Sequence, residues 1–200
     1  MAMFANLRRD WVLLPVVLAA LVAAAAAGGQ QPRGEPFSTA ITKLKDGLYV
    51  IPGYDGAATG GNVAVRVTSE GIIIVDSQLQ VLYGDIISKV KSVSPQPIKY
   101  LLNTHQHSDH TGSNAQFLAT TEILMHRNAR ANMIRGNLPG PGRITFTDQQ
   151  SVFLGGVEVQ MLYMGRGHTE HFVQFASTRV YATDGFLCSA CRKASTLRTA

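Results

Sequence analysis

The sequence contains little cysteine and little charge, and both shortages narrow the classes of protein to which it can belong. Only two of the 200 residues are cysteine, so the chain is not a small domain held together by several disulfides. Charged residues make up 16%, and no Lys/Arg stripe interleaved with aromatic residues is present. Nucleic-acid-binding surfaces usually have such a stripe, so we expect no nucleic-acid partner. Hydrophobic residues make up 46%, enough to bury a core in one or two domains.

The first 27 residues differ from the rest of the chain. Arg8 and Arg9 precede an apolar run over residues 11–27, which ends on alanines before Gly28. A basic segment, an apolar segment and small residues follow in this order in a secretory signal peptide. We therefore predict a signal peptide over 1–27, a linker over 28–40 and a periplasmic or secreted mature protein. The alternative is an uncleaved anchor helix, which would be the only contact with a membrane.

Beyond the linker, strand patterns alternate with helix patterns. The β-branched run at 71–75 and the segment at 98–102 indicate buried strands, and the spacing of apolar residues over 81–93 indicates a helix. This alternation predicts the α/β class. The remaining predicted elements are strands at 47–52, 62–68, 122–125, 152–154 and 157–164, helices at 113–119 and 128–135, and a hairpin from 172–175 and 179–182.

A cluster of ligand-type residues follows the strand predicted at 98–102. It contains His105, His107, Asp109 and His110 within six residues. Imidazole and carboxylate groups suit zinc. Alternate residues of an extended segment point the same way, so His105 and His107 can bind one metal. Asp109 and His110, on the following turn, can face a neighbouring metal. A solvated polar loop would not require four such residues at this spacing.

Residues 104–112, THQHSDHTG, resemble the H-x-H-x-D-H signature of the metallo-β-lactamase superfamily. Residues 71–77 resemble the strand of that family that ends in an aspartate. Residues 165–169 resemble its loop that carries the next metal histidine. The resemblance implies a four-layer αβ/βα sandwich, α/β or α+β according to the scheme, with metals in a cleft at one edge of the two sheets.

The resemblance also implies a role for each residue. His105, His107 and His168 would bind one zinc, and Asp109 and His110 a second. Asp76 would orient the ligand loop by hydrogen bonding, and Asp109 would orient the nucleophilic water or take its proton. The implied activity is hydrolysis of an amide, ester, thioester or related bond in a small-molecule substrate by a metal-activated hydroxide.

The C-terminal part departs from the family pattern. The family carries a bridging aspartate and then a last histidine, but here the expected Gly-Asp reads Asp184-Gly185, and no histidine follows His171. Asp184 is the candidate bridge. We expect residues 41–187 to form a partial domain with an incomplete second half, followed by an atypical basic tail at 188–200.

The cysteines, Cys188 and Cys191, have the spacing C-x-x-C. A redox site or half of a zinc clamp has this spacing. Without a second ligand pair nearby, an incidental pair or a local disulfide is the favoured interpretation.

Three alternatives to a zinc hydrolase stay open. The chain could bind zinc without turnover because its second site is incomplete. Some family members bind a single iron through residues like His105, His168 and Asp184 and oxidise persulfides. A β-lactamase proper is the third, favoured by the export signal because β-lactams act outside the cytoplasm. Metal content separates the zinc hydrolase from the first two alternatives: about two zinc ions, one zinc or one iron per chain.

Overall fold

Two β-sheets, seen in a computed structural model, form the framework of the protein. The structure describes residues 40–53 and 61–165, together with the backbone of strands at 173–177, 180–183 and 186–188. The predicted signal peptide lies outside the described residues, as do most of the linker, the tail beyond Cys188, and the candidate ligands His168 and Asp184.

The first sheet takes its strands in chain order. Its described part has seven strands; β1 to β4 pair antiparallel, and β4 to β7 pair parallel. The parallel half places the carboxyl ends of β4, β5 and β6 at one edge of the sheet. The strands are β1 (Thr42–Lys45), β2 (Leu48–Ile51), β3 (Val63–Val67), β4 (Ile72–Val75), β5 (Ile98–Leu102), β6 (Glu122–His126) and β7 (Ile144–Phe146).

Strand β4 shows why this sheet is central to the fold. All four of its side chains are buried. Successive side chains point to opposite faces of a sheet. Ile72 and Ile74 join the core on the helical side, whereas Ile73 and Val75 join the core between the two sheets. A strand covered on both faces needs an uninterrupted apolar sequence, and IIIV provides it.

Helices cover one face of the first sheet. Helix α1 (Tyr83–Val93) follows a 3-10 turn (Gln80–Leu82) and buries Ile86 and Val90. Two one-turn helices follow β5, and a fourth helix follows β6. Phe117 of the second one-turn helix and Ala129 and Met133 of the fourth helix join the same core. None of the helices in the described ranges is long and apolar enough to span a membrane. The three later helices are α2 (Ser108–Thr111), α3 (Asn114–Phe117) and α4 (Arg127–Arg135).

The second sheet is antiparallel and packs on the other face of the first. Its described strands occur in the order β8-β9-β10-β11-β12, and Gly155 and Gly156, both at positive φ, form the turn between β8 and β9. Val152, Val159 and Met161 pack against the first sheet. These strands are β8 (Gln149–Leu154), β9 (Val157–Tyr163), β10 (Val173–Ser177), β11 (Val180–Thr183) and β12 (Phe186–Cys188).

The arrangement confirms the predicted α/β class. Helices, first sheet and second sheet are three successive layers of the predicted sandwich. Several details differ from the predictions. The helix predicted at 113–119 is present but shorter, as α3. Asp109 and His110, expected on a turn, lie in the one-turn helix α2. Strands β1, β7 and β12 were not predicted; β1 and β7 are short and mostly exposed.

Candidate metal centre

The candidate site lies at the carboxyl edge of the parallel strands. Strands β4 and β5 pair in parallel, with Val75 opposite Leu102. The residues that follow the two strands therefore lie next to each other at this edge: Asp76 after β4, and Asn103 to His105 after β5. Ligands of sheets with parallel strands characteristically bind beyond the carboxyl ends of the strands. Helix α2, which follows directly, brings Asp109 and His110 back to the same edge.

Asp76 is the buried anchor of the site. It adopts a left-handed backbone conformation (φ 63°) directly after β4 and is only 2% exposed. Its Oδ1 accepts a hydrogen bond from the Thr104 amide at 2.8 Å, and its Oδ2 accepts one from the Thr104 hydroxyl at 2.7 Å. Oδ2 also lies 2.8 Å from Nδ1 of His110. One carboxylate thus binds the chain after β5 and the helix beyond it.

The Thr104 hydroxyl, held by Asp76, in turn orients the ring of His105. Its oxygen lies 2.9 Å from Nδ1 of His105. Since the hydroxyl proton is donated to Asp76, the oxygen accepts from Nδ1–H of His105. That tautomer leaves a lone pair on Nε2. Burial, followed by the nearby His110, lowers the pKa of His105 to about 4, so the imidazole is neutral at pH 7.

The lone pair on Nε2 of His105 faces His107. Nε2 of His105 lies 3.2 Å from Nδ1 of His107. Two nitrogen ligands on a tetrahedral zinc, at about 2.0–2.1 Å each, are separated by about 3.3–3.4 Å. The spacing of the two nitrogens therefore suits a shared cation. We call His105 and His107 the first ligand pair.

Asp109 and His110 form a second ligand pair. His110 directs Nδ1 to Asp76, which leaves Nε2 as its ligand atom, and Nε2 lies 3.4 Å from Oδ2 of Asp109. This spacing also suits two ligands of one metal. The His105 and His110 rings are adjacent, with centroids 4.1 Å apart. In the part of the chain that the structure describes, no three His, Cys, Asp or Glu side chains converge on one metal position.

The structure brings together five of the residues singled out in the sequence: Asp76, His105, His107, Asp109 and His110. Their role as metal ligands, or as support for ligands, stays a prediction. His168, the third candidate for the first pair, and Asp184, the candidate bridge, lie outside the described residues.

A buried polar network beneath the site was not predicted. The carbonyl of His110 accepts from the Ser77 backbone amide at 2.9 Å and from the Asn103 side-chain amide at 3.3 Å, and the Ser77 hydroxyl donates to Oδ1 of Asn114 at 2.8 Å. Asn114 and Asn103 bond to each other, and Asn114 also donates to Gly140 at 3.2 Å. This network fixes α2 against the strand ends. Polar residues directly after buried strands were the only signal in the sequence.

His126 lies outside both ligand pairs, and its contacts are of a structural kind. Its Nε2 donates to the carbonyl of Thr147 at 2.8 Å, and its Nδ1 accepts from the Asn128 amide at 3.2 Å. The ring stacks on Tyr163, with centroids 4.2 Å apart. His126 therefore caps α4 and links the two sheets.

Comparison with known proteins agrees with this fold. A family model, the metallo-beta-lactamase superfamily, matches residues 57–179. The chain is 26% identical over 170 residues to the metallo-beta-lactamase type 2 of Elizabethkingia meningoseptica; the match covers 83% of this chain and 66%, just under two thirds, of that relative.

Two solved structures illustrate the likeness. A metallo-beta-lactamase from Pontibacter korlensis superposes with a TM-score of 0.62 at 19% identity, over 68% of this chain and 66% of that one. A metallo beta lactamase from Hirschia baltica gives 0.59 at 20% identity, over 69% and 66%. At these identities, the structures show a shared fold.

Proposed function

This chain belongs to the metallo-beta-lactamase superfamily, and we propose on that basis that it is a metal-dependent hydrolase of a small-molecule substrate. The observation that carries the proposal is the arrangement of the two ligand pairs, His105 with His107 and Asp109 with His110. Each pair has ligand atoms at the spacing of one cation, and both pairs are oriented from Asp76.

The donor set favours zinc. Three imidazoles and a carboxylate are borderline to hard ligands, which zinc accepts in tetrahedral geometry. Bound zinc would supply a hydroxide at neutral pH, since it lowers the pKa of a water ligand to about 7. His168 is proposed as the third ligand beside the first pair, and Asp184 as a bridge between the two pairs.

The residues of this chain contribute orientation and proton handling. Asp76 and Thr104 hold His105 and His110 in the tautomers that present Nε2. The side chain of Asp109 is 39% exposed, so one face is open to solvent and substrate. We propose that Asp109 orients the nucleophilic water or takes its proton.

Amide, ester and thioester bonds all fit this chemistry. A β-lactam is the second candidate substrate, supported by the curated relative named metallo-beta-lactamase type 2 and by the signal-peptide pattern of residues 1–27. An extracytoplasmic location, proposed from that pattern, would place the enzyme where β-lactams act. N-terminal sequencing of the exported chain would find a start near Gly28.

Metal analysis tests the proposal. The full chain, purified without chelator, is expected to hold zinc, and the double variant His105→Ala/His107→Ala is expected to lose most of it. His126→Ala serves as the matched control, because it removes a buried histidine outside the two pairs. Zinc that is unchanged in the double variant would refute the site assignment, whereas one iron per chain would favour the persulfide-oxidising alternative.

Activity is measured on the same preparations. A panel containing a β-lactam, a thioester and a simple ester separates the candidate bonds. The double variant is expected to lose activity on whichever substrate the parent hydrolyses. Hydrolysis that survives complete removal of the metal would contradict metal dependence.

A further inference from the structure

We propose that Gln78 is a positioning residue that holds Gly61 against His110 and thereby sets the geometry of the second ligand pair. The metal-binding part of this inference rests on the proposed function. Gln78 lies two residues after Asp76, is 2% exposed and has φ 50°. A non-glycine residue in this left-handed region is uncommon and carries a conformational cost.

The amide of Gln78 joins two distant points of the chain. Its Nε2 donates to the carbonyl of Gly61 at 2.9 Å and lies 3.4 Å from the carbonyl of Pro52. Pro52 follows β2, and Gly61 precedes β3. The Gly53 amide also donates to Oδ1 of Asn62 at 2.9 Å. The ends of the β2–β3 connection are thus fastened to each other and to the turn that carries Asp76.

Gly61 in turn packs on α2, the helix that carries the second ligand pair. Its amide donates to the carbonyl of Asp109 at 3.3 Å. A Cβ atom at Gly61 would lie 2.1 Å from Cε1 of His110, so the bare backbone rests directly on the imidazole. The ring of His110 is therefore bounded by Gly61 on one side and by the Asp76 carboxylate at Nδ1.

These contacts form one line of support. Asp76 and Gln78 belong to the same turn, and they constrain His110 from two directions: Asp76 by a direct hydrogen bond, Gln78 through Gly61. Ligand histidines need such outer support to keep their orientation. No comparable link from Gln78 to His105 or His107 is found among the described contacts. The effect of Gln78 should therefore fall on the second ligand pair.

The test compares the parent with four full-length variants. Gln78→Ala removes the donor, and Gln78→Glu keeps the shape while replacing the donor with an oxygen that faces two carbonyls. Gln78→Gly also removes the donor, but glycine adopts the left-handed backbone conformation without cost. It therefore serves as the test variant if the other two fold poorly. Gln80→Ala, the same change at an exposed position two residues on, is the control.

The first measurement is amide hydrogen exchange by NMR on metal-free protein. We expect the Gly53 and Gly61 amides to exchange about tenfold faster or more in the three Gln78 variants, because local opening governs exchange. The Asp76 amide, which donates to Leu102, should be unchanged. Unaltered exchange at Gly61 would overturn the inference, whether or not the parent binds metal.

The second measurement is competitive zinc titration. The second equivalent should bind about 10–100-fold more weakly in the Gln78 variants, the usual effect of losing outer-shell support, while the first equivalent keeps its affinity. Gln78→Gly matching the parent would show that only the backbone turn matters and would overturn the inference. A parent chain that binds no zinc would refute the proposed function instead, and the exchange result would still decide the role of Gln78.

Discussion

Oδ2 of Asp76 lies 2.8 Å from Nδ1 of His110, and this contact joins the turn after β4 to the helix that carries the second ligand pair. The same oxygen accepts the Thr104 hydroxyl, which in turn accepts from His105. One buried carboxylate therefore selects the tautomer of a histidine in each pair. The ligand atoms proposed for both pairs are thus oriented from one carboxylate.

Asp76→Asn should weaken metal binding although it removes none of the proposed ligand residues. The asparagine amide would present N–H groups to Nδ1 of His110 and favour the tautomer with a proton on Nε2. We expect the second metal to bind about 10–100-fold more weakly and the free energy of unfolding to fall by about 1–3 kcal/mol. Metal titration and denaturant unfolding measure the two effects. Asp46→Asn, which removes a fully exposed carboxylate, should change neither by much, and equal losses in both variants would contradict the role of Asp76.

Thr104→Val tests the hydroxyl relay to His105. The substitution keeps the shape of the side chain but removes the group that both donates to Asp76 and accepts from His105. The first metal should bind about 10–100-fold more weakly. Thr104→Ser retains the hydroxyl and should stay close to the parent. Imidazole ¹⁵N shifts would report the tautomer of His105, and an unchanged tautomer in Thr104→Val would rule the relay out.

Gly61→Ala should displace the His110 ring. The added methyl group would lie 2.1 Å from Cε1, so the ring or the backbone must move. Overpacking of this kind costs about 1–3 kcal/mol of stability, and the second metal should be weakened as well. Gly84→Ala is the matched control, because nothing lies within 4 Å of the added carbon. Alanine favours the helix over glycine, so this variant should be more stable than the parent by about 0.5–1 kcal/mol. A Gly61→Ala chain as stable as the parent would show that the contact is loose.

His126 should make the stability of the fold depend on pH. Burial, more than neighbouring Arg127, lowers the pKa of its imidazole below 6.5, and both ring nitrogens are bonded in the neutral form. Because the folded pKa lies below the unfolded one, the unfolded chain takes up the proton first. The contribution of His126 is complete above about pH 6.5 and is lost as the pH falls toward the folded pKa.

Unfolding by urea at about pH 8 and at about pH 5.5, on either side of the unfolded pKa, measures this dependence. His126→Gln removes the titrating group but keeps an amide near Thr147 and Asn128. Its stability should fall less between the two pH values than that of the parent, because the other histidines are common to both chains. Identical losses would mean that His126 titrates alike in both states.

The sequence predicted the centre of the fold better than its margins. Strand β5 has the predicted bounds, because four of its five residues are apolar or aromatic and only Lys99 is exposed. The grouping of His105, His107, Asp109 and His110 followed from their spacing alone. Strand β1 was missed because its four residues are mostly exposed and carry little pattern.

Gln78 and Gly61 show what spacing cannot reveal. They are 17 residues apart, and their contact exists only because β3 and β4 pair. Neither belongs to a recognisable motif, and a glutamine after a strand resembles any polar turn residue. Asn103 and Asn114 are similar: each looks like a surface amide in the sequence, yet both are fully buried. Such supporting residues depend on tertiary neighbours and follow from the structure only.

The anchoring of both ligand pairs on Asp76 also makes them communicate. A cation at His105 and His107 would immobilise Thr104, and with it the carboxylate that orients His110. The second ion would then bind to a His110 side chain that has already lost its orientational entropy. Binding of the first ion would thus favour binding of the second, which is positive cooperativity. Linkage is reciprocal, so the factor by which the first ion improves the second must equal the factor by which the second improves the first. Zinc uptake should consequently be steeper than expected for two independent sites.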